Sequence, residues 1–421
     1  MDQRGSAPVS DEERLARAAL TRVSEPGHQD VARLVRSVGV ITAWAALRSR
    51  DPRVRDSRLA GVALRADVTD PERDLETISR EGGRLVCPGD AEWPEALDVL
   101  VAADCAPFAL WVRGSGSLAS LDGRAVAVVG TRAASEYGLY VAGELGAGLA
   151  DRGWVVVSGG AYGIDGAAHR GCLVAEGATV AVLACGVDVR YPSGHARLFD
   201  RIRESGLLVS EHPPGAQPFR TRFLQRNRLI AALGLGTVVV EAGVRSGALS
   251  TAAHAARLGR MVMAVPGQVT ESGSAGCHRL IRDVAATLVR GIDDVVEAVG
   301  RLGADLGPEG PGSPSGSARD GLPAEAARVL DAVPVRRAVG PEQIAVTAGF
   351  DPATVLGSLG LLAGLGLVER SGEGWRLGPA AMPSRRAGPR FRPPGAPNGR
   401  QAVQSRPAGR QLPFGGSGGA A

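Results

Sequence analysis

The chain has 421 residues, of which 44% are hydrophobic, 48 are basic and 44 are acidic, giving a formal net charge of +4. This length exceeds what one compact core usually contains and predicts about two to four domains. All the basic residues are arginine, and the lack of lysine excludes a Walker-type phosphate loop as well as Schiff-base or pyridoxal chemistry.

The composition predicts neither a membrane segment nor a metal centre. No stretch reaches the roughly 20 apolar residues of a membrane span, and the acidic start of the chain differs from a signal peptide, so we expect a cytoplasmic protein. The five cysteines are scattered, without a CxxC pair or a Cys/His metal spacing. We therefore expect buried thiols, no disulfide framework and no metal.

Residues 1–80 predict an N-terminal helical domain. Apolar residues recur at helical spacing in QDVARLVRSVGVITAWAALRS (29–49), which lies between two shorter helical stretches. The Ser-Val-Gly in the middle of this segment resembles the turn of a helix-hairpin-helix or SAM-like domain.

From residue 81 to residue 300 the pattern is a repeated strand, turn and helix. Nearly continuous apolar runs are typical of parallel strands that are buried on both faces. Six such runs lie at 125–130, 154–159, 179–184, 207–211, 237–241 and 261–265. With the helical stretches between them, they predict an α/β domain with a Rossmann-like, doubly wound and mostly parallel sheet.

A second, smaller domain is expected after a flexible linker at 301–321, which is rich in Gly, Pro and Ser. At 322–379, three helical stretches followed by a hairpin with a glycine turn predict a winged-helix domain. Its third helix (352–366) contains no basic residue. This favours protein contact or a structural role over sequence-specific DNA reading.

The arginine-rich end of the chain changes the meaning of the net charge. Residues 381–421 contain seven arginines and no acid; without these seven, 41 basic and 44 acidic residues remain, a net charge of −3. The rest of the chain is mildly acidic, so a nucleic-acid surface on it must be a local patch. We expect 380–421 to be disordered, either as an electrostatic arm for nucleic acid or as a solvated tail without a role.

Loops that follow parallel strands converge at one edge of a doubly wound sheet, where ligands bind. GTRAASEYG (130–138) follows the first apolar run, with Arg132 in the loop and Ser135 placed to cap the next helix. SGGAYGIDGAAH (158–169) follows the second run, with Asp165 at the expected helix N-cap. Glycine-rich turns of this kind expose backbone N–H groups at a helix end and predict a phosphate site.

The segment FRTRFLQRNR (219–228) is the strongest indication of an anionic partner. It places four arginines among two phenylalanines, in a domain that is otherwise acidic. Cations interleaved with aromatic rings suit a single nucleic-acid strand, because phosphates bind the arginines and bases stack on the rings. The alternative is a solvated basic helix start with two core aromatics.

Enzymatic interpretations have weaker support. The glycine turns do not match GxGxxG, and no acidic residue follows at the position that would bind a nicotinamide ribose, so we expect no cofactor. His169 follows Asp165 by one helical turn, either as a catalytic pair or, more commonly, as a packed histidine beside a helix cap. Glu241, at the end of an apolar run, is either a catalytic carboxylate or an acceptor for loop N–H groups that hold the crevice in shape.

Six motifs resemble, in order and spacing, the core of the DNA-processing protein A (DprA/Smf) family. They are GTRAASEYG, SGGAYGIDGAAH, GVDVRYP, RFLQRNRLIA, VVEAGVRSGALSTA and AVPG, within residues 80–290. The resemblance implies a protein that binds single-stranded DNA, forms a homodimer, protects incoming DNA and loads RecA during natural transformation or homologous recombination. It implies no catalytic activity, since this is not known as a family of enzymes.

The resemblance also implies a set of DNA-binding residues. The matching positions are Arg132 in the GxR turn, Arg220 and Phe223 before the RNR segment, Asn227 and Arg228 within it, the N–H groups of Gly159 and Gly160 in the SGG turn, and Ser246 and Gly247 after the fifth apolar run. The sequence departs from the family pattern at Leu224, where proline is usual, and at His195 and His278, where asparagine is usual.

Two other function classes stay open as alternatives. A nucleotide-processing phosphoribohydrolase of the cytokinin-activating type has a similar sheet, with a Gly-Thr turn and a strand-end Glu as in LGLGTVVVE (233–241). The proline and double glycine of its PGGxGTxxE motif are missing here. A transcription regulator that acts through the winged helix is disfavoured by the uncharged third helix.

Overall fold

The computed structural model of the protein describes residues 9–55, 58–121, 123–300, 322–335, 337–372 and 374–378. These residues form two compact units, the first ending at residue 300 and the second beginning at residue 322. The predicted linker (301–321) and the arginine-rich tail (380–421) lie outside the described residues.

The first unit begins with six helices: α1 (Asp11–Val23), α2 (Gln29–Val38), α3 (Val40–Ser49), α4 (Pro52–Arg55), α5 (Ala60–Ala66) and α6 (Pro71–Arg80). Ser10 caps α1 by accepting a hydrogen bond from the Glu13 N–H at 3.2 Å. Gly39 has a φ of +81° and separates α2 from α3, at the predicted Ser-Val-Gly turn. Only glycine adopts this backbone conformation without strain. The assignment to a helix-hairpin-helix or SAM-like domain stays a prediction.

A nine-stranded sheet forms the centre of the first unit: β1 (Gly83–Val86), β2 (Leu110–Arg113), β3 (Ala125–Val129), β4 (Val155–Ser158), β5 (Thr179–Val182), β6 (Leu207–Ser210), β7 (Gly236–Val239), β8 (Met261–Ala264) and β9 (Thr287–Leu288). The strand order is β1-β2-β6-β5-β4-β3-β7-β8-β9. The pairs from β6 to β9 are parallel, whereas β1 and β2 pair antiparallel at one edge. The predicted α/β fold with a mostly parallel sheet is therefore confirmed.

All six predicted apolar runs form strands, and so does the buried stretch Leu110–Arg113 (β2). The two remaining strands, β1 and β9, lack the apolar pattern. β1 has only four residues, two of them half-buried, and β9 has two exposed residues. Both lie at sheet edges. A strand at an edge is covered on fewer sides, so it does not need a continuous apolar run.

Helices cover both faces of the sheet: α7 (Glu136–Asp151), α8 (Ile164–Val174), α9 (Ala196–Ser205), α10 (Arg220–Leu233), α11 (Ala248–Arg257), α12 (Ala275–Asp283) and α13 (Ile292–Val299). Short 3-10 turns are found at Glu95–Leu100, Leu118–Leu121 and Ser193–His195. Successive strand residues point to opposite faces. Val126 and Val128 of β3 share a buried core with α7 and α8, whereas Ala127 and Val129 share one with α10 and α11.

The N-terminal helices are attached to this sheet. Trp111 of β2 is fully buried, and its Nε1 donates a hydrogen bond to Thr21 Oγ1 of α1 at 3.0 Å. Arg14 of α1 forms two hydrogen bonds with the Asp90 carboxylate, at 2.8 and 3.0 Å. The helices give way to the sheet near residue 80, the two parts share a hydrophobic core, and the domain boundary there stays a prediction.

The strand order reverses between β3 and β7. From β3, the next strands in sequence, β4, β5 and β6, follow on one side, whereas β7, β8 and β9 follow on the other. Helices that leave the two central strands therefore pass to opposite faces of the sheet. In doubly wound folds this reversal opens a crevice at the carboxyl ends of the strands, where ligands bind.

The second unit contains three helices and a two-stranded antiparallel sheet: α14 (Ala324–Ala332), α15 (Pro341–Ala348), α16 (Pro352–Gly364), β10 (Val368–Ser371) and β11 (Gly374–Leu377). This is the predicted order of elements, and the winged-helix assignment itself stays a prediction. No single helix among the described residues is long and apolar enough to cross a membrane. The pair α15 and α16, bent by 103°, passes that test together by length and composition only.

Candidate functional site

A cleft of about 590 Å³ opens at the carboxyl ends of β3 and β7, at the reversal of the strand order. Its walls come from the loops after β3, β4, β5 and β7 and from the first turns of α10. Four of the lining side chains are arginines: Arg132, Arg220, Arg226 and Arg245. Among the described residues that line the cleft, Asp165 is the one carboxylic acid. The cleft is thus a local positive patch.

Three of these arginines are available to a ligand. Arg132, Arg220 and Arg245 are exposed, and none of them forms an ion pair with a carboxylate of the described chain. An unpaired guanidinium presents several N–H donors in one plane, a geometry that matches phosphate oxygens. Three such groups at one opening favour an anionic ligand.

Phe223 gives the cleft an aromatic wall. The guanidinium carbon of Arg132 lies 4.9 Å from the centroid of the Phe223 ring, and the Tyr191 ring packs at a tilt with its centroid 5.8 Å away. The cation–π contact holds Arg132 beside an apolar ring. The pair can therefore bind a phosphate and a base at neighbouring positions.

Arg226 differs from the other three cleft arginines because it is buried. Its Nη1 donates a hydrogen bond to the Val182 carbonyl, and burial lowers the pKa of Arg226 to about 10, so the group stays charged at neutral pH. Burial also raises the pKa of Asp165, an effect that the nearby charge of Arg226 opposes. The opposite charges of these two side chains partly compensate for their burial at the base of the cleft.

The glycine turn after β4 differs from the prediction. The Gly159 N–H donates to Asp165 Oδ2 at 3.1 Å, so it has an acceptor within the protein, and its use as a phosphate donor stays a prediction. A Cβ at position 159 would lie 2.1 Å from Arg226 Nη1, so glycine makes room there for the guanidinium. Asp165 is also not the helix N-cap; Gly163 has that position, and Asp165 lies in the first turn of α8. Gly160 is buried, with a φ of +68°, and its contact with DNA stays a prediction.

Two of the four arginines of FRTRFLQRNR are neutralised by carboxylates. Arg228 donates two hydrogen bonds to Glu211, at 2.5 and 2.6 Å, and both side chains are buried. Arg222 donates two to Glu25, at 2.6 and 3.1 Å. The Arg228 guanidinium is enclosed and its charge is satisfied within the protein, so this geometry does not support its contact with DNA, which stays a prediction.

Asn227, Ser246 and Gly247 line the cleft beside the loop after β7. Asn227 Nδ2 donates to the Gly247 carbonyl at 3.3 Å, and Ser246 Oγ accepts from the Ala248 N–H at 3.3 Å. Asn227 thereby connects α10 to the start of α11 and helps to position the loop that carries Arg245. The predicted contacts of these three residues with DNA stay predictions.

Glu241 and His169 are both held in contacts within the fold. The Glu241 carboxylate accepts hydrogen bonds from the N–H and the hydroxyl of Ser135, at 3.0 and 3.1 Å, and Ser135 caps α7 as predicted. His169 Nδ1 forms a hydrogen bond with Thr179 Oγ1 at 2.7 Å, and burial lowers the pKa of His169 to about 3. These contacts match the loop-holding and packing alternatives. In the described ranges, no group of three or more His, Cys, Asp or Glu side chains could hold a metal ion.

Arg245 and Tyr191 belong to the cleft although the sequence analysis does not select them. Arg245 lies in the loop after β7, so the rule that strand-end loops converge could have found it. Tyr191 comes from the loop after β5, and it reaches Phe223 only because that loop folds across the end of the sheet. No local sequence pattern predicts the contact between Tyr191 and Phe223.

Comparison with known proteins supports one family. A family model described as DNA recombination-mediator protein A matches residues 84–300. A Mycobacterium tuberculosis protein named as DNA processing protein DprA is 48% identical over 368 residues, which cover 86% of this chain and 93% of that protein. DNA processing protein DprA of Streptococcus pneumoniae is 42% identical over 192 residues, which cover 46% of this chain and 67% of that protein.

One solved structure agrees with this sequence match. The X-ray structure of DNA processing protein A from Streptococcus pneumoniae aligns with a TM-score of 0.58 and 31% identity, covering 69% of this chain and 98% of that chain. DNA processing protein A from Helicobacter pylori, described for its single-stranded DNA binding mode, aligns with a TM-score of 0.46 and 28% identity. That alignment covers 51% of this chain and 94% of that chain.

Proposed function

The chain belongs to the DNA recombination-mediator protein A family, and from this premise we propose that it binds single-stranded DNA in the cleft between β3 and β7. The observation that carries the proposal is the group of three exposed arginines, unpaired within the described chain, beside the ring of Phe223. Guanidinium groups bind phosphate oxygens and aromatic rings stack on bases. The cleft offers both at once.

The charge distribution supports a polyanionic ligand. Outside the arginine-rich tail the chain has a net charge of −3, so the cleft is not part of a generally positive surface. An isolated cluster of cations raises the local concentration of an anion and speeds its association. An uncharged ligand would gain nothing from the three arginines.

The size and lining of the cleft favour a single strand over a duplex. Its volume, about 590 Å³, falls within the range of about 300–1,000 Å³ in which small ligands are enclosed, and therefore suits separate nucleotides. In a duplex the base faces are stacked on each other and cannot reach Phe223. A single strand has unstacked bases that can turn into the cleft while the backbone stays beside the arginines.

We assign roles to the cleft residues on this basis. Arg132, Arg220 and Arg245 bind backbone phosphates, and Phe223 stacks on a base. Asn227 keeps the β7 loop in place through its bond to Gly247. Ser246 and Gly247 lie where the strand would pass.

The wider role that we propose is that of a recombination mediator. In this role the protein covers single-stranded DNA and delivers it to the strand-exchange protein RecA, acting as a homodimer in natural transformation or homologous recombination. No catalytic step is included in the proposal. Family membership supports this role, and the cleft geometry supports the DNA-binding step on which it depends.

The single-strand proposal is tested by fluorescence anisotropy with labelled oligothymidylate of about 20 nucleotides and a duplex of equal length. We expect the full chain to bind the single strand at least about tenfold more tightly, with affinity falling as salt rises. Equal affinity for the duplex would contradict the proposal.

The alternative phosphoribohydrolase activity is tested on the same preparation. Incubation with a nucleoside monophosphate should release no ribose phosphate if the cleft serves only to bind DNA. Turnover of the monophosphate, abolished by Glu241→Gln, would favour the hydrolase instead.

A further inference from the structure

We propose that the DNA track extends beyond the arginine cleft, over the rings of Tyr191 and Tyr162, to a second phosphate position at Arg170. This inference rests on the proposed function and adds to it the direction of the bound strand and a second phosphate-binding position. Tyr191 comes from the loop after β5, Tyr162 from the loop after β4 and Arg170 from α8. All three lie outside the arginine-rich start of α10.

A small annex continues the cleft in this direction. It holds about 40 Å³ and shares Arg132, Tyr191 and Phe223 with the main cleft, and Tyr162 lines it as well. Tyr162 and Tyr191 are 46% and 42% exposed. Large aromatic rings with this exposure at the rim of a ligand cleft are suited to stacking on bases.

The two tyrosines are held in fixed positions. The Tyr191 ring packs against Phe223 at 5.8 Å. The Tyr162 hydroxyl accepts a hydrogen bond from the Gly194 N–H at 3.2 Å, and its ring meets the His195 ring edge to face at 4.7 Å. Because the rings are already ordered, stacking a base on them costs little conformational entropy.

Arg170 lies at the far end of this aromatic row. Its Nη1 and the His195 ring both lie close to Gly166, where an added Cβ would be 3.2 Å from Arg170 Nη1 and 2.6 Å from His195 Cε1. The buried His195 ring thus lies beside Tyr162 and close to the site of the Arg170 guanidinium.

The charge of Arg170 has no counterion among the described residues. It forms no ion pair there, and burial alone lowers its pKa, with no acid raising it. Arg190 and Arg203 differ from Arg170, because both form ion pairs with Asp200. Arg170 is exposed, and an exposed guanidinium that lacks a carboxylate partner can bind an external anion such as a phosphate.

The test compares short and long oligothymidylates, of about 4 and about 12 nucleotides, on the full chain. The double variant Tyr162→Leu, Arg170→Ala should bind the long strand about tenfold more weakly and the short strand as well as wild type. The single variant Arg132→Ala should weaken binding of both lengths. Tyr140→Leu, Arg80→Ala is the matched control, since both residues are exposed and lie outside the cleft lining.

The possible outcomes separate the two proposals. If Arg132→Ala weakens binding and the Tyr162/Arg170 variant binds both lengths as wild type does, the extended track is wrong and the cleft proposal stands. An equal loss at both lengths in the Tyr162/Arg170 variant would also overturn the extended track. If Arg132→Ala has no effect at either length, the cleft proposal itself fails. Urea unfolding of each variant, with midpoints equal to wild type, verifies that the affinities compare folded proteins.

Discussion

The two halves of α10 carry the same residue type in opposite roles. Residues 220–225 are exposed or half-buried at the mouth of the cleft, whereas 226–233 are buried. Arg220, in the first half, lines the cleft without a carboxylate partner in the described chain. Arg228, in the second half, is enclosed with Glu211. Two helical turns separate a ligand-facing cation from a structural one.

This difference teaches that burial and pairing, not residue type, decide what an arginine does. A buried guanidinium needs a carboxylate or carbonyl partner, because a charge removed from water without one is very costly. An exposed guanidinium keeps its hydration and can exchange water for a ligand phosphate. Counting the four arginines of FRTRFLQRNR therefore overstates the DNA-binding charge of this segment.

The largest effect is expected from breaking the buried half. Arg228→Ala leaves the Glu211 carboxylate buried without its partner, so the free energy of unfolding should fall by about 3–5 kcal/mol. Arg220→Ala removes an exposed side chain and should change it by less than about 0.5 kcal/mol. Urea unfolding followed by circular dichroism measures both. Equal stability of the two variants would contradict the division of the helix.

A smaller effect on stability is expected from pH, through the buried His212, which lies near one arginine from each half of α10. Burial lowers the pKa of His212 to about 4, beside Arg222 and Arg228. The unfolded chain titrates this group near 6.5, so the folded state binds fewer protons between these values and loses stability as pH falls. Between pH 7 and pH 5 the loss attributable to His212 should be about 2 kcal/mol.

The pH prediction is measured by urea unfolding at several pH values. His212→Asn should show a shallower decline than wild type below pH 6.5, and the two curves should run parallel above it. DNA affinity per folded molecule should change little over the same range, since arginines do not titrate there. Identical pH slopes for the variant and wild type would rule out His212 as the source.

The smallest effect concerns the aromatic ring of the exposed half. Phe223→Leu keeps an apolar side chain but removes the stacking face, so affinity for oligothymidylate should fall about fivefold, at the low end of the effect of losing one stacked base. Phe219→Leu is the control, because Phe219 is exposed, carries Arg222 at 4.9 Å from its ring centroid and lies outside the cleft lining. A matching loss in both variants would argue against a specific place for Phe223.

The fold can be predicted from the sequence to a large extent because the residue patterns that indicate its strands and helix ends are local. Six apolar runs form strands, and Ser135 caps α7 as its position indicates. Parallel strands buried on both faces must be apolar throughout, so the chain carries this information in each short segment. The edge strands β1 and β9 lack that constraint and escape prediction.

The site can be predicted less completely because the carboxylates that pair with its arginines lie far from them in sequence. Glu211 lies 17 residues from Arg228, and Glu25 lies 197 residues from Arg222. No local pattern shows that these carboxylates occupy two of the four arginines. The same reason explains Gly159, whose role depends on Arg226 from another element. Arg132 and Phe223, by contrast, lie where the motifs place them.

The central claim, that the exposed arginines of the cleft bind DNA phosphates, is tested most directly by the salt dependence of binding. For a single strand, each phosphate contact contributes about 0.7 to the slope of log affinity against log salt concentration. The double variant Arg132→Ala, Arg220→Ala should therefore show a slope smaller than wild type by about 1.4, while Arg80→Ala leaves it unchanged. An unaltered slope in the double variant would show that the strand is bound elsewhere.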